Sequence, residues 1–359
     1  AKGLPRVRVS KDSGYNMRWS GDSERLYWNL GPELFVRGLD GGIAELKKAT
    51  KGDVPTETHA IGFSFPHDQP RGGLALVGAR LVTMKGDLVI EDGTLVIAGN
   101  RIQAVGPRAT TPVPKGFEVI DGKGMTAIPG LVDVHAHGAQ AEFGITPERN
   151  WKHDATLAFG VTTIHDPSNH SQSIFAAREL IQAGKMAGPR TFSTGTILYG
   201  AEGAFRSRID SLEDARKHLK RMQAMGAFSV KSYNQPRRNQ RQQVLQAARE
   251  LGMMVVPEGG ALFQHNMSMI VDGHTGVEHA IPLANAYDDV LQLWAQSEVG
   301  YTPTLNVAYG GLGAEHYWYQ ESEVYTHPRL RRFVPSRVLN ARARRPARAP
   351  HHEWNHIDV

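Results

Sequence analysis

The chain contains no cysteine. That excludes disulfides and thiolate-held zinc, so any bound metal must be held by imidazole, by carboxylate or by an oxygen built onto lysine. No apolar run approaches the roughly 18 residues needed to cross a bilayer, and no membrane partner is expected. No G-x-S-x-G occurs, and "GGLGAEH" lacks the third glycine and the strand-to-helix setting of a dinucleotide loop. A serine nucleophile elbow and a nicotinamide fold are thereby set aside. No secretory leader is visible either, but the sequence opens on "AKGLPRV" without Met, so that absence carries no weight.

What is present is a soluble globular composition, 40% hydrophobic and 21% charged over 359 residues, enough to bury a large core. The net charge of +5 is unevenly spread. Eight arginines and no acid lie between Arg329 and Arg348; subtracting them leaves −3 for the rest of the chain. A basic tail of this kind could bind nucleic acid, but it has no interleaved aromatics and no recognisable fold, so a solvated tail is expected and nucleic acid is not.

The chain reads in five zones. Residues 1–50 contain "MRWSGDSERLYWNLGPELFVRGL", alternating runs joined by glycine turns, which is hairpin grammar. Residues 51–73 are rich in glycine, proline and polar side chains and read as a linker. Residues 74–127 read as a small β module, its strands broken at Asp92-Gly93, Gly99-Asn100 and Asp121-Gly122. From Ile128 to about residue 328 the grammar becomes strand, helix, strand. Gly226, Gly252, Gly273 and Gly300 recur every 21 to 27 residues, each taken to close a helix just before an apolar strand. Ser211 and Asp214 form a capping box opening the helix that Gly226 closes. Residues 329–359 form the basic tail.

Counting five or six residues past each such glycine, and past Gly160 of "LAFGVTTIHD", gives Asp166, Lys231, Glu258, His279 and Asn306. In a parallel barrel those strand ends share one rim, the rim that holds active sites. In "IPGLVDVHAHGAQ", residues 128–140, an apolar run read as a buried strand ends in His135 and His137. On a strand the two would project the same way, about 7 Å apart, which suits two ligands of one metal. A buried lysine at the same rim is costly unless paired or modified.

The phrase "AIPGLVDVHAH" after a small β module, the lysine of "FSVKSY" and the "EH" of "GVEHA" resemble the amidohydrolase superfamily over residues 74 to about 310. The resemblance implies a (β/α)8 TIM barrel with a flanking β-sandwich. It also implies one or two divalent metals, zinc first and manganese or iron as alternatives, which generate a metal-activated hydroxide. His135 and His137 match the first-strand ligands, Lys231 the fourth-strand lysine that is often carbamylated, and His279 the sixth-strand ligand. Glu258 stands where the family usually has histidine, with His265 as the competing ligand. Tyr233 is a candidate oxyanion donor, and Arg237 a candidate contact to a substrate carbonyl or carboxylate. The implied reaction is hydrolysis of a C–N bond in a small amide, with dipeptides, cyclic amides and amino groups on heterocycles all open. No Asp suited to the family's eighth strand follows Asn306, so a seven-stranded, truncated relative that binds metal and turns over poorly is the alternative. The first zone resembles one blade of a TolB-type β-propeller, a partner fold of exported relatives, so a periplasmic or secreted location is favoured. Oligomeric state is not readable.

Two rival readings stand beside this one. "HEWNH", residues 352–356, matches H-E-x-x-H, with His352 and His356 as ligands and Glu353 as base. The third ligand normally comes well downstream, and only three residues remain after His356. The other rival is a non-enzymatic interaction protein acting through its arginine-rich tail, whose binding to nucleic acid would fall steeply with salt.

Overall fold

The computed structural model describes residues 9–39, 56–141, 144–199, 206–233, 235, 237–260, 262–283, 285–304 and 322–343. Asn306, the H-E-x-x-H run and the end of the basic tail lie outside the described residues.

The first strands are β1 (Tyr15–Trp19), β2 (Arg25–Leu30), β3 (Glu33–Gly38) and β4 (Glu57–Ala60), antiparallel neighbours in that order. The strand β4 lies within the stretch read as linker and pairs with β3 from Glu33↔Ala60 to Val36↔Glu57, making the expected hairpin a four-stranded meander. Alternation along β2 buries Leu26, Trp28 and Leu30. Next come β5 (Gly73–Val82), β6 (Val89–Ala98), β7 (Arg101–Pro107), β8 (Glu118–Asp121) and β9 (Thr126–Ala127). They form one sheet ordered β7-β6-β5-β8 with β9 beside β5.

The α/β part follows with β10 (Leu131–Asp133), α1 (Trp151–Ala158), β11 (Val161–Asp166), α2 (Ser171–Gln182), β12 (Arg190–Ser193), β13 (Ile197–Tyr199) and β14 (Arg206–Arg208). It continues through α3 (Leu212–Ala224), β15 (Ser229–Tyr233), α4 (Arg238–Leu251), β16 (Met254–Pro257), α5 (Phe263–Asp272), β17 (Gly276–Glu278), α6 (Asp288–Ala295) and β18 (Gly300–Thr302). Two short helices, α7 (Pro328–Phe333) and α8 (Ser336–Ala343), end the described chain. Every pairing from β10 onward is parallel, in the ladders β10-β11-β12, β14-β13-β15-β16 and β17-β18. A bridge between Glu258 and Glu278 joins the last two. The fold is thus mixed α/β, but these ladders do not close into the expected eight-stranded barrel among the described residues.

The main core lies between the second ladder and its helices. On α3 the buried residues Ala215, His218, Leu219 and Met222 recur at helical spacing, as do Arg241, Val244, Leu245 and Ala248 on α4. With Leu198, Val230 and Val255 from the strands, their apolar members form one cluster. Gly252 and Gly273 are left-handed caps of α4 and α5, and Gly226 follows the cap of α3, all with positive φ. Ser211 caps α3 as expected, accepting from Asp214 N at 3.1 Å. Gly300 departs from the series: it is the first residue of β18, and Glu298 two residues earlier makes the left-handed turn.

The strand read as buried is the clearest correction. Leu131, Val132 and Val134 are exposed, Val132 at 61%, because β10 pairs only with β11 and forms the open edge of its ladder. His135 and His137 lie beyond its end, in a turn opened by His135 N donating to Asp133 Oδ1 at 3.0 Å.

Candidate functional site

Three consecutive parallel strands converge at their C-terminal ends. Lys231 projects from within β15, Glu258 is the first residue past β16 and His279 the first past β17. Backbone pairing carries on beyond the strands and fixes them. Glu258 N donates to Ser232 O at 3.2 Å, Gly259 N to Glu278 O at 2.9 Å and His279 N to Thr302 O at 2.8 Å. The turn after Glu258 is clamped by buried Asn266, which accepts from Gly260 N and donates to Gly260 O at 2.8 and 2.9 Å.

Glu258 is the hub. Its Oε2 lies 2.7 Å from Lys231 Nζ, and its Oε1 lies 2.6 Å from His279 Nε2. Burial pushes the Glu258 carboxyl up, but the hydrogen bond from His279 and the Lys231 ammonium outweigh it and hold it at about 2. Glu258 is therefore an anion at neutral pH. Lys231 is 1% exposed. The 2.7 Å approach to Glu258 is an ion pair without good hydrogen-bond direction, so Nζ has no well-directed partner among the described residues. The Nδ1 of His279 is likewise buried without one.

The histidine pair reaches this hub from β10. The rings of His135 and His137 are 5.1 Å apart, and those of His135 and His279 are 5.0 Å apart. His135 Nδ1 contacts Glu278 Oε2, and His137 Nδ1 lies 3.4 Å from Asp166 Oδ1. Asp166, buried at the end of β11, is held by Ser168 N at 2.9 Å and by Asn169 Nδ2 at 2.7 Å. Beneath the pair, His165 Nδ1–H donates to Val134 O at 3.2 Å, and its Nε2 accepts from Ser229 Oγ at 2.8 Å. Burial pushes His165 down and keeps it neutral, as that pattern requires.

The structure thus brings together His135, His137, Lys231, Glu258 and His279. Asp166, read from the sequence as a residue of the same rim, joins them, as do Glu278 and His165, for which no site role was read. The signal for Glu278 was the dipeptide "EH". Strand alternation would send Glu278 and His279 to opposite faces. His279 has φ +68°, a left-handed turn outside glycine, and both side chains meet His135.

Tyr233 closes β15 against the Tyr199 ring at 5.5 Å. Arg237 caps α4 at the surface, 3.7 Å from Asp210. His265 lies on α5 beside Gly260, with a buried Nε2 lacking a partner among the described residues. It makes no contact with the Glu258 hub among the hydrogen bonds and ion pairs described.

Among the described residues no group of three His, Asp or Glu side chains is set in a metal-holding arrangement. The donors pair with one another instead, His135 with Glu278 and Lys231 and His279 with Glu258. Their chemistry fits a divalent cation nonetheless. The set offers imidazole nitrogen and carboxylate oxygen, and the buried Nδ1 of His279 has no partner among the described residues.

No family model matches the chain. It is 49% identical over 70 residues to a 5-methylthioadenosine/S-adenosylhomocysteine deaminase of Pelotomaculum thermopropionicum, covering 18% of this chain and 16% of that one. It is 23% identical over 206 residues to a dihydroorotase of Geobacter metallireducens, covering 54% and 42%. The chain therefore spans less than half the length of either relative. Among solved structures it resembles a Xaa-Pro dipeptidase with bound methionine in its active site, at 18% identity and a TM-score of 0.55 over 76% of this chain and 73% of that one. It also resembles phenylurea hydrolase B, at 20% identity and a TM-score of 0.53 over 64% of each. Those likenesses speak to the fold alone.

Proposed function

We propose that this chain is a member of the amidohydrolase superfamily and a metal-dependent hydrolase acting on C–N bonds of small molecules, a reading supported by its likeness to short stretches of deaminases, dihydroorotases and imidazolonepropionases. The observation that carries the reading is the buried Lys231–Glu258–His279 chain at the ends of β15, β16 and β17, met from β10 by His135. In this reading His135, His137, Lys231, Glu258 and His279 hold one or two divalent ions, zinc first. When bound, such an ion acidifies a coordinated water and polarises a carbonyl.

The chain's own residues prepare that chemistry. Glu258, held down by His279 and by the Lys231 ammonium, is anionic at neutral pH and so supplies negative charge to the site. Lys231, as the free amine, adds to carbon dioxide and loses a proton, which turns a buried cation into an anionic oxygen donor. Tyr233 closes the same strand and offers its hydroxyl to a developing oxyanion. We take the parallel strands as part of a (β/α)8 barrel and the sheet of β5–β9 as part of its flanking sandwich.

The test pairs metal content per chain with a hydrolysis panel of dipeptides, cyclic amides and aminated heterocycles. One or two equivalents of metal, lost in His135→Ala/His137→Ala, together with turnover on some panel member, are expected. A folded wild-type protein that takes up no divalent metal refutes the reading. A second reading, a metal-binding relative of poor turnover, suits ladders that do not close among the described residues. Metal uptake with no activity on the panel would establish it.

A further inference from the structure

The two histidines of the pair are held very differently. His135 and Glu278 are each 6% exposed in their side chains and meet through Nδ1 and Oε2 across 143 residues of sequence. His137 is 55% exposed, and its carboxylate neighbour Asp166 stands back at 3.4 Å. A carboxylate oxygen can only accept, so the proton of that buried contact belongs to His135 Nδ1, and Nε2 is left with the lone pair. The contact also joins two strands with different ladder partners, β10 with β11 and β17 with β18.

We propose that Glu278 is the positioning residue of His135. By accepting the Nδ1 proton it selects one tautomer and fixes the ring, so that Nε2 is the nitrogen offered to a cation, while His137 is left to adjust. The left-handed turn at His279 makes this possible, because it lets Glu278 face His135 while the next residue faces Glu258. Anchoring of a ligand imidazole through its second nitrogen sets ring orientation and raises its basicity. The inference rests on the reading of His135 as a metal ligand, but its tautomer is read on metal-free protein.

The experiment uses the full chain with 15N-labelled histidine and the variants Glu278→Gln and Glu278→Ala. The His135 tautomer is read from long-range proton–nitrogen spectra of the metal-free protein. Affinity for Co(II) and Zn(II) is read by competition with a chelating indicator. Wild type and Glu278→Gln, whose amide oxygen accepts the same bond, should show the Nδ1–H tautomer and affinities within a few-fold of each other. Glu278→Ala should mix the tautomers and lose about 10–100-fold in affinity. Should Glu278→Ala not fold, Glu278→Asp, which withdraws the carboxylate by one methylene, takes its place with the same expectation. An unchanged tautomer in Glu278→Ala overturns the proposal. So does a Glu278→Gln that keeps the tautomer yet binds as weakly as Glu278→Ala, since Glu278 would then be a ligand itself. Failure of the wild type to bind either metal would strike the hydrolase reading, and the tautomers would still decide whether Glu278 holds His135.

Discussion

The strands β15 and β10 both lead into the candidate site, yet they live in different surroundings. Ser229 to Ser232 of β15 are buried between β13 and β16 and under α3 and α4. The residues of β10 are all exposed, and the strand has one neighbour. One half of the site is thus mounted on a packed core and the other hangs from an edge, joined to it through His135, Glu278 and the His165–Ser229 bond. Rigidity at a site follows from what stands behind each residue, more than from which residues face it.

The largest effect should come from stranding a buried charge in the rigid half. Glu258→Ala leaves Lys231, 1% exposed, without its anion and should cost about 3–5 kcal/mol in the metal-free protein, whereas Lys231→Met leaves Glu258 less deeply buried and still paired with His279, and should cost less. Denaturant unfolding of both variants decides it, and a loss below about 1 kcal/mol in Glu258→Ala would show that Lys231 is not charged in the fold. Next, Leu219→Ala in the core behind β15 should cost about 2–5 kcal/mol, while Val132→Ala on exposed β10 should stay within about 0.5 kcal/mol. A large loss at Val132 would mean that the edge is covered in solution.

A smaller, graded effect concerns His218, buried on α3 in that same core. Its Nε2–H donates to Thr196 O at 3.0 Å, and Arg221 Nη2 donates to its Nδ1 at 3.1 Å. Burial, with help from Arg221, pushes its pKa from 6.5 down to about 3. Between those values the unfolded chain takes up a proton that the folded chain refuses. The contribution of His218 is therefore complete above pH 6.5 and is lost as the pH falls toward 3. The slope is at most about 1.4 kcal/mol per pH unit. Unfolding in urea at about pH 7 and about pH 5 should show a shallower decline in His218→Gln than in wild type. Identical slopes would mean that His218 is solvated.

The same contrast explains what was legible in the sequence. Gly226, Gly252 and Gly273 marked helix ends because a left-handed turn costs glycine least, and counting from them located Lys231, Glu258 and His279. The reading of a helix-closing glycine failed at Gly300, where Glu298 makes the turn, since nothing local announces positive φ at a glutamate. The strands β12 and β13 are four and three residues long with no helix between them, too short to carry a period. The apolar run at β10 read as buried because a run of residues does not show whether its strand has one neighbour or two. Glu278 was hidden for the same reason as Gly300: its role depends on a left-handed histidine.

Gly259 sets a limit on how this rim can be altered. A Cβ there would stand 2.0 Å from Glu278 O, which is a backbone atom that no rotamer change can move aside. Leu262, three residues on, is exposed. Loop libraries built between β16 and α5 to redirect the protein toward new amides should therefore yield folded members with almost any residue at 262 and essentially none with a side chain at 259. Diversity in this loop is open where it meets α5 and closed where it leaves β16.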